Sequence, residues 1–226
     1  MCLVYRRFVC DRSGAVLLDL RLAAGSVEVT VEDREHAEAV LRLRVPEPPA
    51  QSVGVRQVVA DTVTSTVVVN GRVVSGGGAT VARGRGEVVA TARLPRDSSL
   101  ASETISAWVT ARGPLERAEI TTVSGDVDVH QAQRVELIST SGDALLVEAD
   151  DVVATTVSGD LRIDHTRTAW VTSGSGNVWL LAHAPHQPAT VWARTVSGDI
   201  RVLATETTGP LDCRVGSVSG DVRERV

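Results

Sequence analysis

A chain of 226 residues with a formal net charge of −5 lacks the basic stripe that a nucleic-acid binder shows, and its 43% apolar content is enough for a real core. Aromatic residues make up only 3%, so that core is built from Val, Leu, Ile and Ala, which suits pleated sheet better than helix. Three cysteines follow neither a disulfide framework nor metal-ligand spacing, and no apolar run reaches the length of a membrane helix.

Residues 1–95 read as an irregular β region. The start, MCLVYRRFVC, sets its apolar residues before Arg6-Arg7 and lacks the apolar segment of a signal peptide. The expected compartment is therefore the cytoplasm, with peripheral association at the envelope as the variant. Leu18, Leu20 and Leu22 alternate, and Ala24-Gly25-Ser26 leads into Val27, Val29 and Val31, the pattern of a diverged first rung of a repeat. Leu41, Leu43 and Val45 form a further strand, broken by Pro46, Pro48 and Pro49. Asn70-Gly71, between Thr66–Val69 and Arg72–Val74, predicts a hairpin with a type I′ turn. The Gly-rich stretch Ser75–Gly86, with Arg83 and Arg85, reads as a mobile loop and lacks the Gly-Lys-Ser/Thr ending of a phosphate-binding loop. Val88–Leu94 is a last strand before Pro95, and these strands together are expected to cap the repeat that follows.

Residues 96–226 carry that repeat. Ser124-Gly125-Asp126, Ser141-Gly142-Asp143, Ser158-Gly159-Asp160, Ser175-Gly176-Asn177, Ser197-Gly198-Asp199 and Ser219-Gly220-Asp221 recur at spacings of 17, 17, 17, 22 and 22 residues. Ser106-Ala107-Trp108 is a degenerate copy upstream. Periods of this size mark solenoids. With the copies aligned on serine, apolar columns stand three residues on (Val127, Ala144, Leu161, Val178, Ile200, Val222) and five on (Val129, Leu146, Ile163, Leu180, Val202). Two more stand four before (Ile120, Leu137, Ala154, Val171, Ala193, Val215) and six before (Ala118, Val135, Val152, Ala169, Val191, Cys213). Period-two columns are the sign of half-buried strands. The expectation is an all-β fold: a parallel β-solenoid of about seven rungs, stacked about 4.8 Å apart.

Parity through the motif places Val123, Val157, Val196 and Val218 inward with the motif glycines Gly125, Gly142, Gly159, Gly176, Gly198 and Gly220, where a missing side chain lets the opposite wall approach. The same parity sends the serines, the acidic column Asp126, Asp143, Asp160, Asn177, Asp199 and Asp221, and the hydroxyls Thr122, Ser139, Thr156, Ser173, Thr195 and Ser217 outward onto one flat face. That face is either a hydrogen-bonded ladder or a weak surface for cations or sugars. Trp170 and Trp192 share an outward column on successive rungs, and Trp179 has outward parity. The loop Ala182–Pro188, or the N-terminal half, is expected to cover them; uncovered, they would form a partner or carbohydrate surface.

The chain stops within a rung, with Glu224 at a position that is apolar elsewhere, an inward charge that blocks end-to-end addition. No nucleophile elbow, His-Glu-x-x-His or Cys-x-x-Cys is present, and the motif serines are equivalent to one another, whereas a nucleophile needs a base of its own. His130, His165 and His183 could line one edge, but no metal or cofactor is expected there.

The Thr-Val-Ser-Gly-Asp-Val units resemble those of the bacterial putative-adhesin family of β-strand-repeat proteins of unknown function, strongly from about residue 100 and moderately over Ala92–Arg96. The resemblance implies a repeat architecture with an adhesin-like role; the chain departs from it in its opening residues, which lack an export signal. The expected function is a non-catalytic scaffold that binds a protein partner or itself through Trp170, Trp192 and Trp179 or through Asp126, Asp143, Asp160 and Asp199. A carbohydrate- or envelope-binding module and an enzyme with a site near His165 and His183 are the alternatives.

Overall fold

The computed structural model describes residues 2–45, 62–63, 67–69, 72–75, 79–80, 87–206 and 208–225. The breaking prolines 46, 48 and 49, the Asn70-Gly71 turn and most of the Gly-rich stretch lie outside them. All regular structure among the described residues is β. In chain order the strands are β1 (Cys2–Ser13), β2 (Leu17–Val31), β3 (His36–Val45), β4 (Thr62–Val63), β5 (Val67–Val69), β6 (Arg72–Ser75), β7 (Ala79–Thr80) and β8 (Glu87–Leu94). There follow β9 (Ser99–Thr122), β10 (Val127–Ser139), β11 (Ala144–Ser158), β12 (Leu161–Ser175) and β13 (Val178–Ala182). The last are β14 (Ala189–Ser197), β15 (Ile200–Ala204), β16 (Leu211–Ser219) and β17 (Val222–Arg225).

One open sheet runs through the molecule in the order β1-β3-β8-β2-β9-β10-β11-β12-β13-β15-β17, with β14 and β16 continuing from β12. From β8 onward along this order every neighbour is parallel. The register follows the sequence repeat: Val127 stands beside Ala144, Ala144 beside Leu161, Leu161 beside Val178, and Val178 beside Ile200. The diverged copy at Leu18–Val31 joins the same stack, with β2 parallel to β9 from Leu17 beside Ser99 to Thr30 beside Arg112. β3 runs antiparallel to both β8 and β1, so parallel stacking gives way to antiparallel pairing at this end. β5 and β6 pair as the predicted hairpin, Val69 beside Arg72.

Each rung has two strand segments. An outgoing segment leaves the Ser-Gly-Asp corner, and an incoming segment leads to the next corner. Val129, Leu146, Ile163, Leu180 and Val202 from outgoing segments and Val135, Leu137, Val152, Val171 and Val191 from incoming ones are all buried in one cluster. Burying an aliphatic side chain of this size is worth about 1.5–3 kcal/mol, more than the net value of a single hydrogen bond, so these columns dominate the stability of a rung. The outward residues of the two segments lie on different faces.

The corner overturns two parity expectations. Thr122, Ser139, Thr156, Ser173 and Thr195 are buried, whereas Val123, Val157, Val196 and Val218 are exposed. The incoming alternation Ala118, Ile120, Thr122 stays inward up to the corner, and inward alternation then resumes three residues later, at Gly125. Strand parity slips by one residue at the serine. The motif glycines are needed for a different reason as well. A Cβ at Gly142 would lie 2.6 Å from the carbonyl oxygen of Gly125, one rung away, not against an opposite wall. Gly142 and Gly159 also hold φ of 131° and 111°, a region unfavourable for residues with a side chain.

Candidate binding surfaces

At the corner the hydroxyl and carboxylate columns are occupied by the fold. The Ser141 hydroxyl donates to the Val123 carbonyl at 3.1 Å, and Ser158 donates to that of Thr140 at 3.1 Å. Asp126 Oδ1 accepts the backbone N–H of Asp143 at 2.9 Å, Asp143 accepts that of Asp160 at 2.9 Å, and Asp160 accepts that of Asn177 at 2.8 Å. Asn177 Oδ1 then accepts from Asp199 at 3.0 Å, and Asp199 from Asp221 at 2.9 Å. Asn177 also donates its side-chain amide to Asp160 at 3.2 Å, so one neutral residue separates the carboxylates in mid-column. Asp126, Asp143, Asp160 and Asp199 thus each hold the backbone of the next rung. Inside the corner, the Thr122 hydroxyl accepts the N–H of Gly125 at 3.0 Å, whereas the buried Ser139 hydroxyl meets no partner. The flat hydroxyl face expected from parity does not form, because its threonine and serine column lies in the core.

The outward face of the incoming segments carries one apolar row among charged and hydroxyl side chains. Val153, Trp170 and Trp192 stand side by side on successive rungs. The Trp170 and Trp192 rings lie 5.7 Å apart at 33°, and the Arg194 guanidinium sits 5.3 Å over the Trp192 ring. Ile138 at 57% and Val157 at 57% are exposed on the same face but are set off from this row by Thr155, and Trp170 itself is 49% exposed. The expectation that a loop covers these tryptophans is overturned. The five residues added in the long rungs go into the far bend, where the N–H of Gly209 bonds the carbonyls of Ala184 and Gln187 and the two bends stack on each other instead. Toward one side of the patch the surface is polar: Arg117 binds Glu119 at 2.6 Å and Glu136 at 2.9 Å, and Arg167 binds Asp151 at 2.8 Å.

Trp179 belongs elsewhere. It lies on the outgoing face, where a concavity of about 630 Å³ is lined by Arg162, Trp179, Leu181, Arg201, Leu203 and Arg223. A second concavity of about 450 Å³ on the same face is lined by Trp108, Asp126, Asp128, Asp143 and Asp160. Sequence parity alone could not separate Trp179 from the Trp170–Trp192 pair, since the two faces are distinguished only by which side of the corner a residue falls on. Trp108 and the arginine column escaped notice for a similar reason: they align only after the 17- and 22-residue spacings are converted to register.

The histidines do not converge on a site. The His165 and His183 rings lie 5.0 Å apart, His183 Nδ1 is 3.1 Å from the Thr205 hydroxyl, and His130 pairs with Asp128 at 3.6 Å. Among the described residues no group of three His, Cys, Asp or Glu side chains could hold a metal ion. Cys213 continues the core column beside Val191, and its thiol is pushed up to about 11 by burial first and then by Glu224 and Asp212. Glu224 stands beside Val202 but is exposed on the terminal strand. No helix among the described residues is long and apolar enough to cross a membrane.

A β-solenoid-like stack with hydrogen-bonded corners defines a repeat-built all-β protein. The chain belongs to the Toastrack DUF4097 family, whose model matches residues 17–223. In fold it is similar to the crystal structure of a putative adhesin from Bacteroides fragilis, with a TM-score of 0.53 at 13% identity over 99% of this chain and 97% of that one. Putative adhesins from Parabacteroides distasonis (TM-score 0.46, 16% identity, 99% and 97% covered) and Parabacteroides merdae (0.45, 13%, 98% and 95%) also match. No curated protein matches the sequence.

Proposed function

We propose that the protein is a non-catalytic binding module that docks a protein partner on the outward face of its incoming segments. The observation that carries this reading is the row of Val153, Trp170 and Trp192, side by side on successive rungs with the Arg194 guanidinium over the last ring. Exposed tryptophan and aliphatic side chains in a row are costly in water unless a partner covers them, and tryptophan stacked with arginine is the composition of interface anchors. The similarity in fold to putative adhesins is consistent with a binding role. In this reading the protein works in the cytoplasm, the stack has about seven rungs from the Ser106 copy to the Ser219 copy, and β1, β3 and β8 close its first end, leaving the sides for binding.

A photo-crosslinking amino acid at Val157 tests this in cells that make the protein. A discrete protein adduct that disappears on Trp170→Ser is expected. Absence of any adduct, together with quenching of tryptophan fluorescence by a soluble glycan, would replace the protein partner with a carbohydrate.

A further inference from the structure

The tryptophan row on the incoming face is acidic at one end and basic at the other. From β9 to β16 it reads Glu119, Glu136, Val153, Trp170, Trp192, Arg214, each residue beside the next in parallel register. The row two residues nearer the far bend reads Arg117, Arg134, Asp151, Thr168, Thr190, Asp212, with its charged ends in the opposite sense. Each end is already paired within the chain: Arg117 binds Glu119 at 2.6 Å, and Arg214 lies 3.5 Å from Asp212. On the corner side of the tryptophans a third row holds Ile138, Thr155, Thr172 and Arg194. The row beside the corner runs from Val123 to Val218 without a charge.

We infer that the protein partner of this face is a second copy of the chain, docked about a twofold axis that runs parallel to the strands between β11 and β12. The inference rests on the docking role proposed above. Such an axis keeps strand direction and reverses rung order, so each residue faces its own row on the partner. Val153 then meets the partner's Trp170, and the apolar centre of one copy covers that of the other. At both ends of the interface Glu119 meets the partner's Arg214 and Arg117 meets the partner's Asp212. Each ion pair of one copy thus closes on a reversed pair of the other. Beside the centre, Thr155 meets the partner's Thr172 and Ile138 meets the partner's Arg194. Glu136 meets the partner's Trp192, whose ring already carries the Arg194 guanidinium. None of the four rows sets like charges opposite each other, the condition for a specific electrostatic fit. Six rungs about 4.8 Å apart and four outward rows about 6.6 Å apart cover roughly 600 Å² on each copy, which reaches the lower bound of specific interfaces at about 1,200 Å² in total. A face complementary to itself in this way is what a closed dimer uses.

Sedimentation velocity across a concentration series tests it. The wild type is expected to be a dimer, and Trp170→Ser a monomer at the same concentrations. Glu119→Arg should weaken dimerisation roughly tenfold to a hundredfold, since it sets like charges against each other at both symmetry-related contacts. Adding Arg214→Glu to that variant reverses both members of the contact and should restore the dimer. A twofold axis along the stack would instead bring Glu119 to the partner's Arg117, and the double variant would then be weaker still. These side chains lie on the outer face, so thermal melts of the variants should match wild type. A wild type that stays monomeric overturns the inference, as does a Trp170→Ser dimer or a double variant no tighter than Glu119→Arg alone. The photo-crosslinker at Val157 separates this inference from the docking role. An adduct of twice the chain mass supports the second copy, whereas an adduct with a different protein overturns it and leaves the docking face standing.

Discussion

The carboxylate of Asp160 accepts two hydrogen bonds from Asn177, one from its backbone N–H at 2.8 Å and one from its side-chain amide at 3.2 Å. This doubly bonded step sits in the middle of a column in which every other link is a single carboxylate or amide oxygen on the next backbone N–H. The column therefore contributes to the fold first, and its acidic character follows from the need for a strong acceptor at a turn.

Asp160→Ala should cost about 1–2 kcal/mol in chemical denaturation, because it leaves the backbone N–H of Asn177 without its acceptor. Asp160→Asn keeps an oxygen there, as Asn177 itself does for Asp199, and should cost under about 0.5 kcal/mol. Equal losses for the two variants would mean that the ladder bond does not matter.

Gly159→Val should destabilise by several kcal/mol, on the order of overpacking and backbone strain combined. At φ 111° the residue sits where side chains are disfavoured, and a Cβ there collides with the Gly142 carbonyl oxygen. A thermal melt indistinguishable from wild type would show that the corner has another geometry.

The buried hydroxyl column predicts opposite signs for two similar substitutions. Thr122→Ala removes the acceptor of the Gly125 N–H and should destabilise by about 1–2 kcal/mol. Ser139→Ala removes a buried hydroxyl that meets no partner and should be neutral or stabilising by up to about 1 kcal/mol. Urea midpoints of the two variants, measured side by side, decide the matter.

The Cys213 thiol, pushed up to about 11 from 9.0, should alkylate at pH 8 roughly a hundredfold more slowly than a free cysteine. The measurement uses iodoacetamide on a protein with Cys2 and Cys10 changed to serine. Glu224→Gln should move the profile back toward the ordinary range, burial remaining as the largest cause. The folded state holds this proton more tightly than the unfolded chain. The contribution to stability is therefore full below about pH 9 and fades as pH rises toward 11. Alkylation at the free-thiol rate would contradict the assignment.

The repeated corner and the apolar columns were legible because a stack of parallel rungs places chemically equivalent residues at equal sequence intervals, so Val129, Leu146 and Ile163 fall into line from their spacing alone. Parity at the corner was not, since alternation argues only within an unbroken strand and the slip between Thr122 and Gly125 reverses Val123 and its equivalents. Trp170 and Trp192 fall on one row in both sequence and structure, as each lies five residues before its serine in a segment that no corner interrupts. The row of Asp128, Arg162 and Arg201 was invisible for the converse reason: several rung lengths separate them along the chain, and only the register brings them into one line.

Between β13 and β14, and again between β15 and β16, the longer rungs take up their extra residues at the bend remote from the corner, and apart from an irregularity between Ile163 and Thr166 the register of both segments continues. The bend is thus tolerant of length where the corner is not. Two successive rungs carry their length variation on one side of the stack, while the corner keeps one length throughout, so growth of the sequence in this fold is confined to the side remote from the hydrogen-bonded column.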